Sequence, residues 1–166
     1  RYAGRILHLL DGEIEKEESN YEAALQNYEA ARALFEQLCD RNGQARVLRA
    51  VADIHRFQNR YTQAWDKYHL ALDIHREVGN RRVEGFVLGN LGIVYQEQGN
   101  YLEAIAHYQQ SLTIHREVGD RRMEGTTLGN LGIMFQYQGN YPEAIAHFLQ
   151  ALDIHREVGN RRVEGF

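Results

Sequence analysis

Arg46, Arg49 and Arg56 stand three and seven residues apart, with Asp53 between the last two. On an α-helix these spacings bring all four side chains to one face, so a single acid sits among three guanidinium groups. Such a face can be a solvated helix surface, in which the Arg49–Asp53 pair contributes on the order of tenths of a kcal/mol. It can also read an anion, because the guanidinium fork matches a carboxylate. A second set consists of Asn90 and Asn130, forty residues apart. Their amides can donate to and accept from an extended peptide backbone. Phe86, Ile93, Gln96 and Glu97 accompany Asn90 at helical spacing, and Thr126, Ile133, Gln136 and Tyr137 accompany Asn130. This is the chemistry of recognition rather than of bond making.

The residues that would break bonds or hold metals do not form sites. His75, His115 and His155 recur once per forty residues, as do His107 and His147, so they belong to a repeat and not to a ligand set. His107 and His115 are eight residues apart, two helical turns, too far to share an ion. No HExxH, CxxC, GxSxG or phosphate-loop pattern occurs. The sequence therefore predicts no enzyme, no cofactor and no metal. Cys39 is the only cysteine, which suits a reducing, cytoplasmic setting. The formal net charge is −4, and the doublets Arg81–Arg82, Arg121–Arg122 and Arg161–Arg162 are each accompanied by glutamates, so no nucleic-acid partner is expected. No apolar run approaches the roughly 18 residues of a membrane span, and no signal segment is visible at the start. Trp65 and most tyrosines fall at core-facing positions, which argues against an aromatic cage.

The elements that carry these residues are set by an internal repeat. Residues 81–120 and 121–160 are identical at 28 of 40 positions, and ALDIHREVGNRRVEGF occurs unchanged at 71–86 and 151–166. Tyr21, Tyr61, Tyr101 and Tyr141 keep the register, as do Ala24, Ala64, Ala104 and Ala144. The sequence thus divides into repeats at 1–40, 41–80, 81–120 and 121–160, with 161–166 opening a fifth, and reads as part of a longer array.

Each repeat reads as two helices. Val83, Val87, Leu88, Leu91, Val94 and Tyr95 recur at helical spacing over 82–98, and Tyr101, Ala104, Ile105, Tyr108 and Leu112 do so over 101–118. Gly99, Gly119, Gly139 and Gly159 suit the left-handed position that ends a helix. Asn100 with Glu103 reads as a capping box, and Asp120 and Asn160 as further N-caps. A single proline, Pro142, falls in a first turn, where it is tolerated. Gly85, Gly89 and Gly92 share one stripe, where a neighbouring helix or a ligand can come close.

Leu88, Leu91, Gly92, Tyr95, Ala104, Tyr108 and Ser111, repeated as Leu128, Leu131, Gly132, Phe135, Ala144, Phe148 and Ala151, resemble the tetratricopeptide repeat signature. The forty-residue length and the GNLG and REVGD segments are similar to the Pins-like class. The resemblance implies an all-α fold, a right-handed α-α superhelix of antiparallel helix pairs, whose first helices line a concave groove. It places Arg46, Arg49, Asp53, Arg56, Phe86, Asn90, Ile93, Gln96, Asn130, Ile133, Gln136 and Tyr137 in that groove. The carboxylate clamp of chaperone-binding members would fall on Arg49, Asp53, Asn90, Thr126 and Asn130, where Asp53 would repel a carboxylate; the Pins-like mode fits better.

The resulting expectation is a scaffold that binds a partner protein or peptide, acidic where it meets the arginines. The alternative is a regulatory or sensor segment of a larger signalling protein, a kinase, cyclase or transcription regulator, acting by intramolecular binding. Two further expectations concern the ends. The first repeat, with Asp11 at an apolar signature position, should be the least stable. The last should self-associate through an apolar face left without a capping element.

Overall fold

The computed structural model describes residues 21–164, with side chains to residue 159. The expectations for the first helix, Asp11 and the weak first repeat lie outside these residues. Seven helices follow in order: α1 (Tyr21–Gln37), α2 (Arg41–Phe57), α3 (Tyr61–Glu77), α4 (Arg81–Glu97), α5 (Tyr101–Glu117), α6 (Arg121–Tyr137) and α7 (Tyr141–Glu164). No strand occurs among the described residues, and the fold is an all-α helical repeat.

The helix stops follow from backbone chemistry. Gly79, Gly99, Gly119 and Gly139 all adopt positive φ, between 68° and 77°. At the end of α4, Asn100 N–H donates to Tyr95 O at 2.9 Å and Gly99 N–H donates to Gln96 O at 3.0 Å. These are the two bonds that close a Schellman turn. Asp120 caps α6 by accepting from Met123 N–H at 3.2 Å. The capping box at Asn100 does not form: its side chain makes no cap hydrogen bond. The Asn100 N–H that Glu103 would have to reach already belongs to the preceding turn.

The chain divides into two compact units, 1–79 and 80–166. In the first, α2 packs on α1 and on α3. Tyr28, Ala31, Val47, Val51 and Ile54 form one buried cluster, and Ala45, Leu48, Ala71 and Ile74 another. Trp65, expected on the core face, lies 38% exposed and stacks on His69 at 3.7 Å. Its neighbour Ala64 takes the buried position, and one residue along a helix turns a side chain by about 100°.

In the second unit α5 packs between α4 and α6, α6 packs on α7, and α4 and α6 touch directly. Ile105, Tyr108, Leu112, Leu128, Leu131, Met134 and Ile154 share its core. The glycine stripe admits helix to helix rather than ligand: a Cβ on Gly92 would lie 2.6 Å from the Tyr108 ring, and one on Gly85 would lie 2.9 Å from Ile114. The leading arginines of α4 and α6 fasten each helix pair. Arg81 bonds Glu84 at 2.7 Å and Glu117 at 2.5 Å, and Arg121 bonds Glu124 at 2.5 Å and Glu157 at 2.8 Å. Glu124, buried, also accepts from Arg116 of α5 at 2.9 Å. The basic row that might have met nucleic acid is engaged within the fold at Arg81 and Arg121.

One expectation fails at the C-terminal end. Gly159 was to end a helix and Asn160 to cap the next, yet α7 runs unbroken to Glu164. The same sixteen residues bend at 71–86, with Gly79 at φ 71° and Asn80 accepting from Val83 N–H. There α4 packs along α5 and Arg81 holds Glu84 and Glu117. At 151–164 the helix continues through Gly159 and Asn160, so these letters do not fix the bend by themselves.

Candidate functional site

Within the first unit, Arg46, Arg49, Asp53 and Arg56 lie on one face of α2, each half-buried. Asp53 is less a partner for a ligand than the centre of an internal cluster. Tyr68 of α3 donates its hydroxyl to the Asp53 carboxylate. Burial pushes the Asp53 carboxyl above its usual range, although the Tyr68 bond and the charges of Arg49 and Arg56 oppose the shift. Desolvation outweighs both because the group is largely removed from water. Burial, and then the Asp53 charge, raise the Tyr68 phenol, and the same two causes raise Tyr28 of α1. Arg56 also lies over the exposed Phe57 ring, 4.4 Å from its centroid. The α2 face therefore carries a cationic excess, with its one acid drawn inward.

Within the second unit, α4 and α6 present equivalent rows. Asn90 and Asn130 occupy the same register on the two touching helices, and both are half-buried. Ile93 and Ile133 lie one turn further along and pack on the core edge. Phe86 is half-buried on the first turns of α4, and Gln136 and Tyr137 are exposed at the end of α6. Gln96 is tied down, because Tyr108 donates its hydroxyl to Gln96 Oε1 at 2.8 Å. Across the candidate residues of α4 and α6 the one formal charge is that of Glu97, and no cation occurs, in contrast to α2.

Three tyrosines complete the two faces and are not in the groove set read from sequence. Tyr68 and Tyr108 stand forty residues apart and hold Asp53 and Gln96 by their hydroxyls. The signal for them was available, since a buried tyrosine must place its hydroxyl on a partner. Tyr101, expected in the core, is half-buried and stacks on Tyr137 with ring centroids 5.2 Å apart and planes 9° from parallel. The partner ring belongs to the next helix pair, so no periodicity within one repeat reveals it.

Nothing in this arrangement assembles a nucleophile with a base. Among the described residues no group of three or more His, Cys, Asp or Glu side chains could hold a metal ion. No described helix is long and apolar enough to cross a membrane.

The tetratricopeptide repeat family model matches residues 5–82 and 83–157. No curated protein matches the chain. Among solved structures, the aspartyl phosphate phosphatase F of Bacillus subtilis aligns with a TM-score of 0.78 at 19% identity, over 93% of this chain and 39% of that one. A signal transduction ATPase with numerous domains from Pyrococcus horikoshii, which has a tetratricopeptide repeat sensor, aligns with a TM-score of 0.78 at 20% identity, over 97% of this chain and 24% of that one. BtubC of P. vanneervenii aligns with a TM-score of 0.75 at 20% identity, over 83% and 57%. The chain thus spans between 24% and 57% of these three proteins, and at these identities the likeness is one of fold.

Proposed function

The chain belongs to the tetratricopeptide repeat family, and on that premise we propose that it holds an extended segment of a partner protein on the face lined by α4 and α6 in the second unit, the α2 face of the first unit being a separate contact for an acidic segment. The repeats make it a protein-interaction module, on a fold that serves as a non-catalytic scaffold. The observation that supports a peptide ligand is the matched pair Asn90 and Asn130, at one register on touching helices and each followed by an isoleucine. Amides at a regular interval can bond a peptide backbone whatever its sequence, and Ile93 and Ile133 supply apolar contact for alternate side chains.

Arg46, Arg49 and Arg56 favour a ligand that is acidic where it meets α2, with Asp53 orienting guanidinium groups rather than facing the ligand. Gln136 and the Tyr137–Tyr101 stack of the second unit favour an uncharged segment. A second reading is that the array is the sensor segment of a larger cytoplasmic signalling protein and takes its ligand from the same chain. The tetratricopeptide sensor of the Pyrococcus protein, covered over 97% of this chain but 24% of that one, is the observation that favours it.

Selection of a displayed random peptide library on the full chain tests the groove reading. Peptides enriched on the α4–α6 face should lose affinity about fivefold or more for Asn90→Ala and for Asn130→Ala, and acidic peptides enriched on α2 should do so for a triple Arg46/Arg49/Arg56 charge reversal. Peptides that bind all three variants as well as the parent would place the site elsewhere.

A further inference from the structure

Where α5, α6 and α7 meet in the second unit, Leu112 of α5 is buried and shares the core with Leu128 of α6 and Ile154 of α7. The same place in the first unit, where α1, α2 and α3 meet, is a pocket of about 280 Å³ lined by Leu48 and Ile74. Arg32 stands at the register of Leu112. Its guanidinium is drawn to Glu29 at 3.1 Å and toward Glu36 at 3.7 Å, and the space is left unfilled. Leu70 of α3, 49% exposed, forms a wall of the pocket where α5 has Gln110 and α7 has Gln150. Two departures from the chain's own repeat, leucine lost at 32 and gained at 70, therefore open an apolar pocket. No helix ahead of α1 is needed to close it, because Leu112 closes the equivalent place from α5 itself.

The polar groups of the rim narrow the ligand. Arg41 is engaged by Gln44 at 3.0 Å and by Glu77. Asp73 has no ion-pair partner among the described residues. Arg32 Nε is shielded from water and has no hydrogen-bond partner among them, since 3.7 Å to Glu36 is too long for one. Around the mouth the acids Glu29, Glu36, Asp73 and Glu77 outnumber Arg32 and Arg41. A pocket of this size is below that of a drug-sized ligand site, and Leu112 shows which side chain fits. We propose that it takes a leucine-like side chain from a segment of a partner protein. The segment's backbone carbonyl accepts from Arg32 Nε, and a lysine or arginine beside the leucine pairs with Asp73.

At about 100° per residue, Arg41, Gln44 and Leu48 lie on the side of α2 away from Arg46, Arg49, Asp53 and Arg56. The pocket is thus separate from the face that favours an acidic segment, and its own ligand is basic. The inference does not depend on the groove reading. One anchor side chain with two polar contacts binds weakly, with a Kd on the order of 1 mM for a short peptide.

Methyl NMR spectra of the full chain, titrated with the capped tetrapeptide acetyl-Ala-Leu-Lys-Ala-amide, test the pocket. The methyl signals of Leu48, Leu70 and Ile74 should shift with added peptide. Those of Leu112 and Ile154, where the equivalent space is filled, should not. Alanine in place of the peptide's leucine should weaken binding about tenfold, and glutamate in place of its lysine about threefold. Arg32→Leu, which installs the Leu112 side chain, should abolish the shifts. Leu70→Gln, at an exposed position, should weaken binding about fivefold, and Asp73→Asn should erase the preference for lysine over glutamate. Circular dichroism confirms folding of each variant. No shift at Leu48, Leu70 and Ile74 at about 10 mM peptide would overturn the proposal. So would binding that survives Arg32→Leu, or equal affinity of the parent for the lysine and glutamate peptides.

Discussion

Gly92 of α4 lies against the face of the Tyr108 ring so closely that a Cβ would come within 2.6 Å of Tyr108 Cε1. The ring is fully buried, and its hydroxyl is fixed on Gln96, so it cannot retreat. Gly92→Ala should therefore destabilise the chain by about 2–3 kcal/mol through overpacking. Gly129 occupies the helix interior of α6 with nothing within 4 Å of its Cβ direction. Gly129→Ala should stabilise by up to about 1 kcal/mol. Urea denaturation of both variants checks the pair, and equal effects would contradict the packing described.

Cys39 stands in the helix-ending position that glycine holds elsewhere, at φ 53°. A side chain in this left-handed region costs on the order of 1 kcal/mol. Cys39→Gly should raise stability by about that amount. Asn59→Gly, at φ 58°, should gain less, since asparagine tolerates the conformation. A lower denaturation midpoint for Cys39→Gly would count against the strained turn.

His115 is buried, and neither ring nitrogen has a hydrogen-bond partner. Burial holds its pKa below the usual histidine value; the charges of Asp120 and Glu124 raise it and that of Arg82 lowers it. The unfolded chain then takes up the proton first as pH falls. The stabilising contribution of the neutral ring is complete above about pH 6.5 and is lost progressively below it. Stability measured between pH 7.5 and 5.5 should fall more steeply for the parent than for His115→Leu. Parallel pH profiles would show that the ring is not held neutral by the fold.

The two binding faces should respond differently to salt. Contacts to Arg46, Arg49 and Arg56 are exposed enough to be screened beyond about 8 Å at physiological ionic strength. The candidate residues of α4 and α6 include no cation. For an acidic peptide that binds the α2 face, affinity should fall with salt in the parent and in Asn130→Ala alike. It should become nearly salt-independent in the triple arginine variant. A salt slope unchanged by the arginine substitutions would remove α2 from the site.

The family and the helix boundaries were legible because they rest on local chemistry. Gly99, Gly119 and Gly139 mark left-handed turns wherever they occur, and the spacing of Leu88, Leu91 and Tyr95 is visible along one helix. What the sequence did not disclose depends on which atoms were already engaged. The Asn100 N–H was taken by Tyr95 O, so the capping box could not close. The Gln96 carbonyl was taken by Tyr108, and the Asp53 carboxylate by Tyr68. Residues 71–84 and 151–164 are the clearest case: one sequence bends at Gly79 ahead of α4 and runs straight along α7. No reading of those fourteen letters alone distinguishes the two.

The central claim, that the partner lies along the first helices of the repeats, is tested most directly by site-specific photo-crosslinking. A benzoylphenylalanine replaces Gln136, exposed at the end of α6, or Thr113, exposed on α5, in otherwise unchanged chains. A library-selected peptide is then irradiated with each. The account predicts a covalent adduct at position 136 that excess unlabelled peptide suppresses, and none at position 113. An adduct at 113 with none at 136 would contradict it.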